Sequence, residues 1–150
     1  MERIDVETDE RTVIARPERP NQMSTRISPD GRLLMMTPVG QDLSPRRIVL
    51  RRLDDGSEKT LKADGIGGRI EWDFDSRHLL YRKGEKEPVF YRLSVETGTE
   101  EILWREVIGH FLEAVSPDGR WLAFRKRGTD WRIWVVENFL PAKAVTAAAR

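Results

Sequence analysis

The sequence predicts an all-β fold made of three four-stranded propeller blades, because one tight turn recurs at a nearly constant spacing. Two copies of the turn read Ser28-Pro29-Asp30-Gly31 and Ser116-Pro117-Asp118-Gly119, and each is followed by an arginine and an apolar strand. A divergent copy, Asp73-Phe74-Asp75-Ser76, stands 45 residues after the first and 43 residues before the last. A period in the low forties that contains only short strands is typical of propeller blades.

Each repeat divides into four strands, a to d, with this turn between strands a and b. In the turn, proline presets φ, aspartate bonds backbone amides and glycine accepts a positive φ. Strand c is rich in β-branched and aromatic residues, as in Val89–Val95, and a second turn such as Glu96-Thr97-Gly98 opens strand d. We expect the repeats at about residues 17–61, 62–104 and 105–137 of a propeller segment that covers 1–140. The Ala-rich residues 141–150 are too few for a stable helix of their own and are predicted to be a frayed tail.

The N-terminus repeats the end of a blade. The segment from Ile4 to Asp9 matches the segment from Leu93 to Gly98 in register, and both lead into a short strand d. At the other end, the last repeat reaches strand c at Ile133–Glu137 without a glycine turn and a strand d after it. We therefore predict that the last blade is completed by the N-terminal strand, within residues 4–16, as in propellers whose ring is closed by a terminal strand.

The Ser-Pro-Asp-Gly-Arg repeat, with its downstream aromatic strand and Thr-Gly turn, resembles the TolB-like β-propeller family. Similar repeats occur in the propeller domains of prolyl-oligopeptidase-type peptidases. The resemblance covers residue 4 to about residue 140, and the middle turn departs from it at Phe74 and Ser76. Because the family usually closes six blades, the resemblance implies that this chain is half of a six-bladed ring. It also implies a binding scaffold or a gate over a separate catalytic domain.

Composition argues against several classes of partner. The 150 residues include 26 Lys or Arg and 25 Asp or Glu, which is not the one-signed basic surface of a nucleic-acid-binding protein. No stretch approaches the roughly 20 apolar residues of a membrane helix, and the N-terminus lacks the apolar core of a signal peptide. We therefore expect no nucleic-acid or membrane partner, and a cytoplasmic protein unless the chain is a fragment of a secreted one.

The sequence offers no clear catalytic or cofactor motif. The Gly-x-Ser-x-Gly elbow of the peptidase relatives is absent, and the chain has no cysteine. His78 falls on a repeat position of strand b, which favours a structural role. Asp73-Phe74-Asp75 resembles the start of a calcium loop but lacks its glycine and its distal glutamate, so turn chemistry accounts for it. We expect no catalytic residue, no metal ion and no cofactor.

The candidate ligand site is the channel mouth, where the inner strands begin. Side chains at this position combine charge with hydrogen-bonding capacity, which suits a polar peptide or protein segment. They are Gln22, Arg26, Arg69, Glu71 and His110. The sequence thus favours a non-enzymatic scaffold for protein or peptide binding. The alternative is a propeller fragment or subunit that gates a prolyl-oligopeptidase-type serine hydrolase, in which case a hydrolase domain would follow in the reading frame.

Three blades cannot close a ring alone, so the expected partner is a second copy of the chain. In a homodimer, the strand from Thr12 to Arg16 of one copy would pair beside Ile133–Val136 of the other, and two copies would make six blades. The competing interpretation is that the chain is the C-terminal half of a longer propeller. Trp104, near the end of a strand d, is the candidate for an exposed aromatic side chain.

Overall fold

The computed structural model describes residues 1–16, 23–38, 47–62, 64–84, 89–105, 111–125, 133–137 and 139. All regular structure in these ranges is β-strand, so none of them holds a helix that could cross a membrane. The strands are β1 (Glu2–Ile4), β2 (Arg11–Val13), β3 (Met23–Ile27), β4 (Leu33–Pro38), β5 (Arg47–Arg52), β6 (Glu58–Lys62), β7 (Glu71–Trp72), β8 (His78–Lys83), β9 (Val89–Ser94), β10 (Glu100–Trp104), β11 (Phe111–Val115), β12 (Trp121–Arg125) and β13 (Ile133–Glu137).

These strands form four antiparallel sheets in chain order. Blade 1 is the sheet β3-β4-β5-β6, blade 2 is β7-β8-β9-β10, and blade 3 is the three-stranded sheet β11-β12-β13. The N-terminal hairpin, β1-β2, is a sheet of its own. The predicted all-β fold is therefore confirmed, and blades 1 and 2 have the predicted strands a to d, whereas the described residues of blade 3 supply three strands.

The backbone confirms that the divergent middle turn is a true copy of the other two. Gly31 and Gly119 have φ of +72° and +68°, and Ser76 at the same place has φ of +58°. Such a φ is strained for serine, because its Cβ crowds the backbone there. The Ser76 Oγ accepts a hydrogen bond of 2.9 Å from the Asp30 amide of blade 1, which offsets part of the strain.

Replacing Ser76 should separate these two effects. Ser76→Ala loses the hydrogen bond and keeps the strained φ, so we expect a loss of about 0.5–1 kcal/mol in the free energy of unfolding. Ser76→Gly loses the same bond but relieves the strain, so it should stay within about 0.5 kcal/mol of the wild type. Urea denaturation of both variants measures the difference; a glycine variant less stable than the alanine variant would contradict the interpretation.

The core is divided between the blades, as in a stack of sheets. One buried cluster joins blades 1 and 2, with Met35 and Ile48 on one side and Leu79 and Tyr81 on the other. A second buried cluster joins blades 2 and 3. Its members are Leu80, Phe90, Leu112, Leu122, Phe124 and Phe139. Successive residues of a strand point to opposite faces, so blades 1 and 2 each contribute to two clusters at once.

The N-terminal hairpin packs on the other face of blade 1. Ala15 and the partly buried Ile14 lie against Leu34 and Met36 of β4, on the face opposite to the one that blade 2 covers. The hairpin thus takes the place of the outer strands of a preceding blade. Within one chain it does not complete the last blade, because β2 pairs with β1 and not with β13. Completion by a second copy stays a prediction.

The expectation for Trp104 is wrong. A bulge in β10 next to Ile102 turns the Trp104 ring toward blade 3. There it packs edge-on against Phe90 and Phe139, with ring centroids 5.6 and 5.9 Å away. Among the three tryptophans whose burial is described, the exposed one is instead Trp121 at the start of β12, which keeps 40% of its surface accessible.

Candidate functional site

The inner edges of the three blades meet along one line. Strand β7 of blade 2 contacts both β3 of blade 1 and β11 of blade 3. The indole Nε1 of Trp72 donates a 3.2 Å hydrogen bond to the carbonyl oxygen of Arg26, which ties β7 to β3. Side chains from three separate repeats are therefore brought together although they lie more than forty positions apart in the sequence.

Charged side chains on this edge form what we call the inner charge line. It consists of Arg26, Arg69, Glu71, Glu113 and Arg125. Arg26 Nε lies 3.5 Å from Glu71 Oε2 across blades 1 and 2. Arg69 Nη1 lies 3.3 Å from Glu113 Oε2 across blades 2 and 3, and Arg125 Nε lies 3.0 Å from Glu113 Oε1. The line holds three guanidinium groups and two carboxylates, so it carries a net positive charge.

Glu71 is the most buried member of the inner charge line. Its side chain is only 13% exposed, and its Oε1 atom is buried without a hydrogen-bond partner among the residues that the structure describes. Burial raises the pKa of Glu71, and the nearby Glu113 raises it further, whereas Arg26 and Arg69 lower it without cancelling the effect of burial. An ionised carboxylate is therefore held here against its desolvation cost by two arginines.

Glu71→Gln should remove the part of the stability loss between pH 4 and pH 7 that is due to ionisation of Glu71. A folded-state pKa above the ordinary value of 4.5 means that the folded chain binds more protons than the unfolded chain between those two values. Stability from this group is therefore present at low pH and is lost as pH rises through the folded pKa. We expect the stability of Glu71→Gln relative to wild type to increase between pH 4 and pH 7 in urea titrations. Glu96→Gln, at an exposed turn, controls for the removal of one carboxylate. If the stability difference between Glu71→Gln and wild type does not change from pH 4 to pH 7, the folded-state pKa of Glu71 is not raised.

The predicted channel-mouth residues are in part brought together. Arg26 and Glu71 pair directly, and Arg69 joins the same line through Glu113. Gln22 and His110 lie outside the described residues, and the ligand role of the whole set stays a prediction. Sequence reasoning missed Glu113 and Arg125. The signal was available for Glu113, since it stands among the apolar residues of an inner strand.

A second group of ionisable side chains surrounds the middle turn. Asp73, Asp75 and His78 place possible ligand atoms within 4.8 Å of one another. Arg92 of β9, only 6% exposed, reaches both acids: its Nε lies 2.7 Å from Asp73 Oδ2 and its Nη2 lies 2.7 Å from Asp75 Oδ2. His78 Nδ1 lies 2.7 Å from the same Asp75 oxygen.

This cluster is a closed network rather than an open metal centre. The remaining oxygen of Asp73 accepts the Phe74 amide, and that of Asp75 accepts the amides of Arg77 and His78. Every carboxylate oxygen thus has a partner, and the guanidinium stands where a cation would bind. This supports the interpretation of the Asp73-Phe74-Asp75 segment as a turn.

The two acids respond differently to this environment. Complete burial raises the pKa of Asp73, and Arg92 offsets this only in part. Burial would also raise the pKa of Asp75, but hydrogen bonds from His78 and from the Arg77 amide outweigh it and lower that pKa. The network is therefore held mainly by the charge of Arg92 at the Asp73 end and by hydrogen bonds at the Asp75 end.

A cavity of about 400 Å³ opens between the outer strands of blades 1 and 2. Lys83 and Glu100 line it, and their charged groups already bond to each other at 2.8 Å. The Lys83 ammonium also lies 5.2 Å from the centre of the Tyr91 ring. This cavity is a weaker candidate than the inner charge line because its facing charges neutralise each other.

No protein-family model and no curated protein matches the sequence. Among solved structures, TolB from Acinetobacter baumannii matches 89% of this chain with a TM-score of 0.66 and 23% identity. An oligogalacturonate lyase in complex with manganese matches 88% of it with a TM-score of 0.59 and 20% identity. The chain spans about a third of the length of each, 34% and 37% respectively.

At these identities the similarity concerns the fold and not the activity. It agrees with the repeated turn, the antiparallel blades and the cores between them. The chain therefore has a TolB-like β-propeller fold.

Proposed function

We propose that the chain is a non-enzymatic β-propeller scaffold that binds an acidic protein or peptide segment along the inner charge line. The observation that carries the proposal is the excess of arginine there. Three guanidinium groups face two carboxylates, and the Arg69 side chain is 54% exposed. An incoming carboxylate would meet a surface of opposite charge along the inner edges of the blades.

The geometry of the inner charge line allows a ligand carboxylate to take the place of a glutamate beside an arginine. The two pairs that cross between blades, Arg26 with Glu71 and Arg69 with Glu113, are separated by 3.5 and 3.3 Å. These separations exceed the roughly 2.7–2.9 Å of a strong charge-assisted hydrogen bond. A ligand carboxylate replaces Glu113 most easily, because Glu113 keeps Arg125 at 3.0 Å, whereas the buried Glu71 depends on Arg26. Arginine is also the side chain best suited to hold a carboxylate through two parallel bonds.

We also propose that two copies of the chain close one six-bladed ring, which would place two inner charge lines around a common channel. The support is blade 3, for which the described residues supply three strands, and the partial blade that the N-terminal hairpin forms against blade 1. Light scattering on the purified chain tests the ring. A mass near twice 17.4 kDa is expected, and a well-folded species near 17.4 kDa would contradict it.

A labelled hexaglutamate peptide tests the binding proposal by fluorescence anisotropy, with hexalysine as the charge-reversed probe. We expect hexaglutamate to bind in low salt and to weaken as salt rises, because exposed charges are screened. Arg69→Ala should weaken binding about 3- to 10-fold, the equivalent of roughly 1 kcal/mol. Arg77→Ala removes the same charge from an exposed turn at the other end of the blade and serves as the matched control. Equal losses in both variants, or no binding by the wild type, would reject the inner charge line as the site.

A further inference from the structure

The strand registers show which place β13 takes in its blade. In blade 2, Leu93 of strand c pairs with Leu79 on its inner side and with Glu100 on its outer side. In blade 3, Leu122 holds the place of Leu79 and pairs with Val136. Val136 therefore corresponds to Leu93, and β13 is the strand c of blade 3. On the outer side of β13 the structure describes no partner strand.

The N-terminal hairpin has the same register on its outer side. Ile4 pairs with Arg11 as Leu93 pairs with Glu100, and both hairpins close with the same amide bond, from Asp5 to Glu10 in one case and from Ser94 to Thr99 in the other. Ile4 thus also corresponds to Leu93. It follows that β1 and β13 are both strands c, and that they hold the same place in a blade.

The outer face of blade 3 is built for a following blade. Trp121, Ile133 and Val135 are 40%, 75% and 56% exposed. By the same registers, these positions in blade 1 belong to residues that pack against blade 2, namely Leu33, Ile48 and Leu50. Apolar side chains at positions that are buried elsewhere in the repeat mark this face as one side of an interface.

The complementary face lies at the other end of the chain. The face of blade 1 that receives a preceding blade carries Leu34, Met36 and Val49, and the N-terminal hairpin covers it. When blade 3 of one copy docks there, its β13 needs the place that β1 of the other copy occupies. A blade has room for one strand c, so one of the two must leave.

We propose that β1 is a place-holder, which β13 of a second copy displaces when the ring closes. The inference rests on the proposed ring and specifies how it forms. In the closed ring β13 pairs with β2, so that one copy supplies strands a, b and c of the seam blade and the other supplies strand d.

Three features make β1 the strand that leaves. It has three residues, all of them exposed, whereas β13 has five and is anchored along its length to β12. Its departure frees the amides of Ile14 and Ala15, which now bond to the Met1 carbonyl oxygen. Those amides extend the edge that β2 offers to β13. The exchange replaces a short ladder by a longer one and buries Ile133 and Val135, so it is favoured by both hydrogen bonding and burial of apolar surface.

A reversible covalent lock between β1 and β2 tests the displacement. The hydrogen bond from the Asp5 amide to Glu10 makes that pair the bonded one, so the neighbouring pair Ile4 and Arg11 is non-bonded, with the short Cα separation that a disulfide tolerates. Because the chain has no cysteine, the double variant Ile4→Cys/Arg11→Cys carries a single thiol pair. Its mass is measured by light scattering after oxidation with oxidised glutathione and again after reduction.

The matched control locks the corresponding pair of blade 1, with Arg51→Cys/Glu58→Cys. We expect the wild type, both reduced variants and the oxidised control to be dimers. The oxidised Ile4→Cys/Arg11→Cys variant should have a dimer dissociation constant at least tenfold higher than that of its reduced form. An oxidised variant that dimerises as tightly as its reduced form overturns the displacement and leaves the ring standing. A monomeric wild type overturns both.

Discussion

Replacing Arg92 by alanine should lower the free energy of unfolding by about 3–5 kcal/mol, the cost of breaking a buried ion pair by removing one partner. Asp73 is fully buried and Arg92 is 6% exposed, so the vacated space offers the carboxylates little access to water. Asp73 would lose the cation beside it and Asp75 would keep only its His78 and backbone bonds. Urea denaturation at neutral pH measures the loss.

Blade 1 provides the control, because the equivalent positions there are filled without a buried ion pair. Ser28 stands at the place of Asp73, and Leu50 stands at the place of Arg92. The double variant Asp73→Ser/Arg92→Leu installs that arrangement in blade 2, and we expect it to lie within about 1.5 kcal/mol of the wild type, since apolar groups of similar volume often replace a buried ion pair at little cost. If Arg92→Ala alone is as stable as this double variant, the network does not act as described.

Gly119→Ala should be the second most damaging substitution, with an expected loss of about 2–4 kcal/mol. Gly119 has a φ of +68°, and a Cβ added there would lie 2.1 Å from Cδ1 of Phe74. The backbone strain accounts for about 1 kcal/mol and the overpacking against the ring for about 1–3 kcal/mol more. Thermal or urea denaturation measures the sum.

Gly31→Ala isolates the backbone part of this effect. Gly31 has a φ of +72°, and nothing lies within 4 Å of the Cβ it would gain, so we expect a loss of only about 1 kcal/mol. The steric part is tested by Phe74→Ala in the Gly119→Ala background. The double variant should lose less than the sum of its two single variants, because the first change removes the clash that the second creates. Strict additivity would show that Phe74 is not what Gly119 makes room for.

The features that sequence predicted are those that local chemistry decides. The turn around Ser76 keeps the backbone of Gly31 and Gly119 even though its proline and its glycine are both replaced, because the aspartate at its third position still bonds the amides that follow. The match between Ile4 and Leu93 identified the end of a strand c and a strand d at the N-terminus, although the sequence assigned this strand d to the last blade. The turn and the segment from strand c to strand d are both short stretches of sequence that recur from one repeat to the next.

The features that sequence did not predict depend on contacts between strands or on local irregularities of a strand. Arg92 departs from the apolar pattern of strand c, yet its partners Asp73 and Asp75 lie on other elements of the blade, so the departure alone does not reveal what it binds. Glu113 likewise joins Arg125 only once β11 pairs with β12, and it joins Arg69 only once blades 2 and 3 lie side by side. The bulge that turns Trp104 inward has no signal in the local sequence.

The contact between Phe74 and Gly119 has a consequence for how such a chain can change. Between blades 2 and 3, the second residue of one turn, Phe74, and the fourth residue of the next turn, Gly119, share a single volume. Between blades 1 and 2 the fourth residue, Ser76, instead accepts a hydrogen bond from the Asp30 amide. A large side chain on one side requires a small one on the other. The blades are therefore not interchangeable modules: a duplicated or transplanted repeat carries half of each such pair, and it fits only where the neighbouring turn carries the matching half.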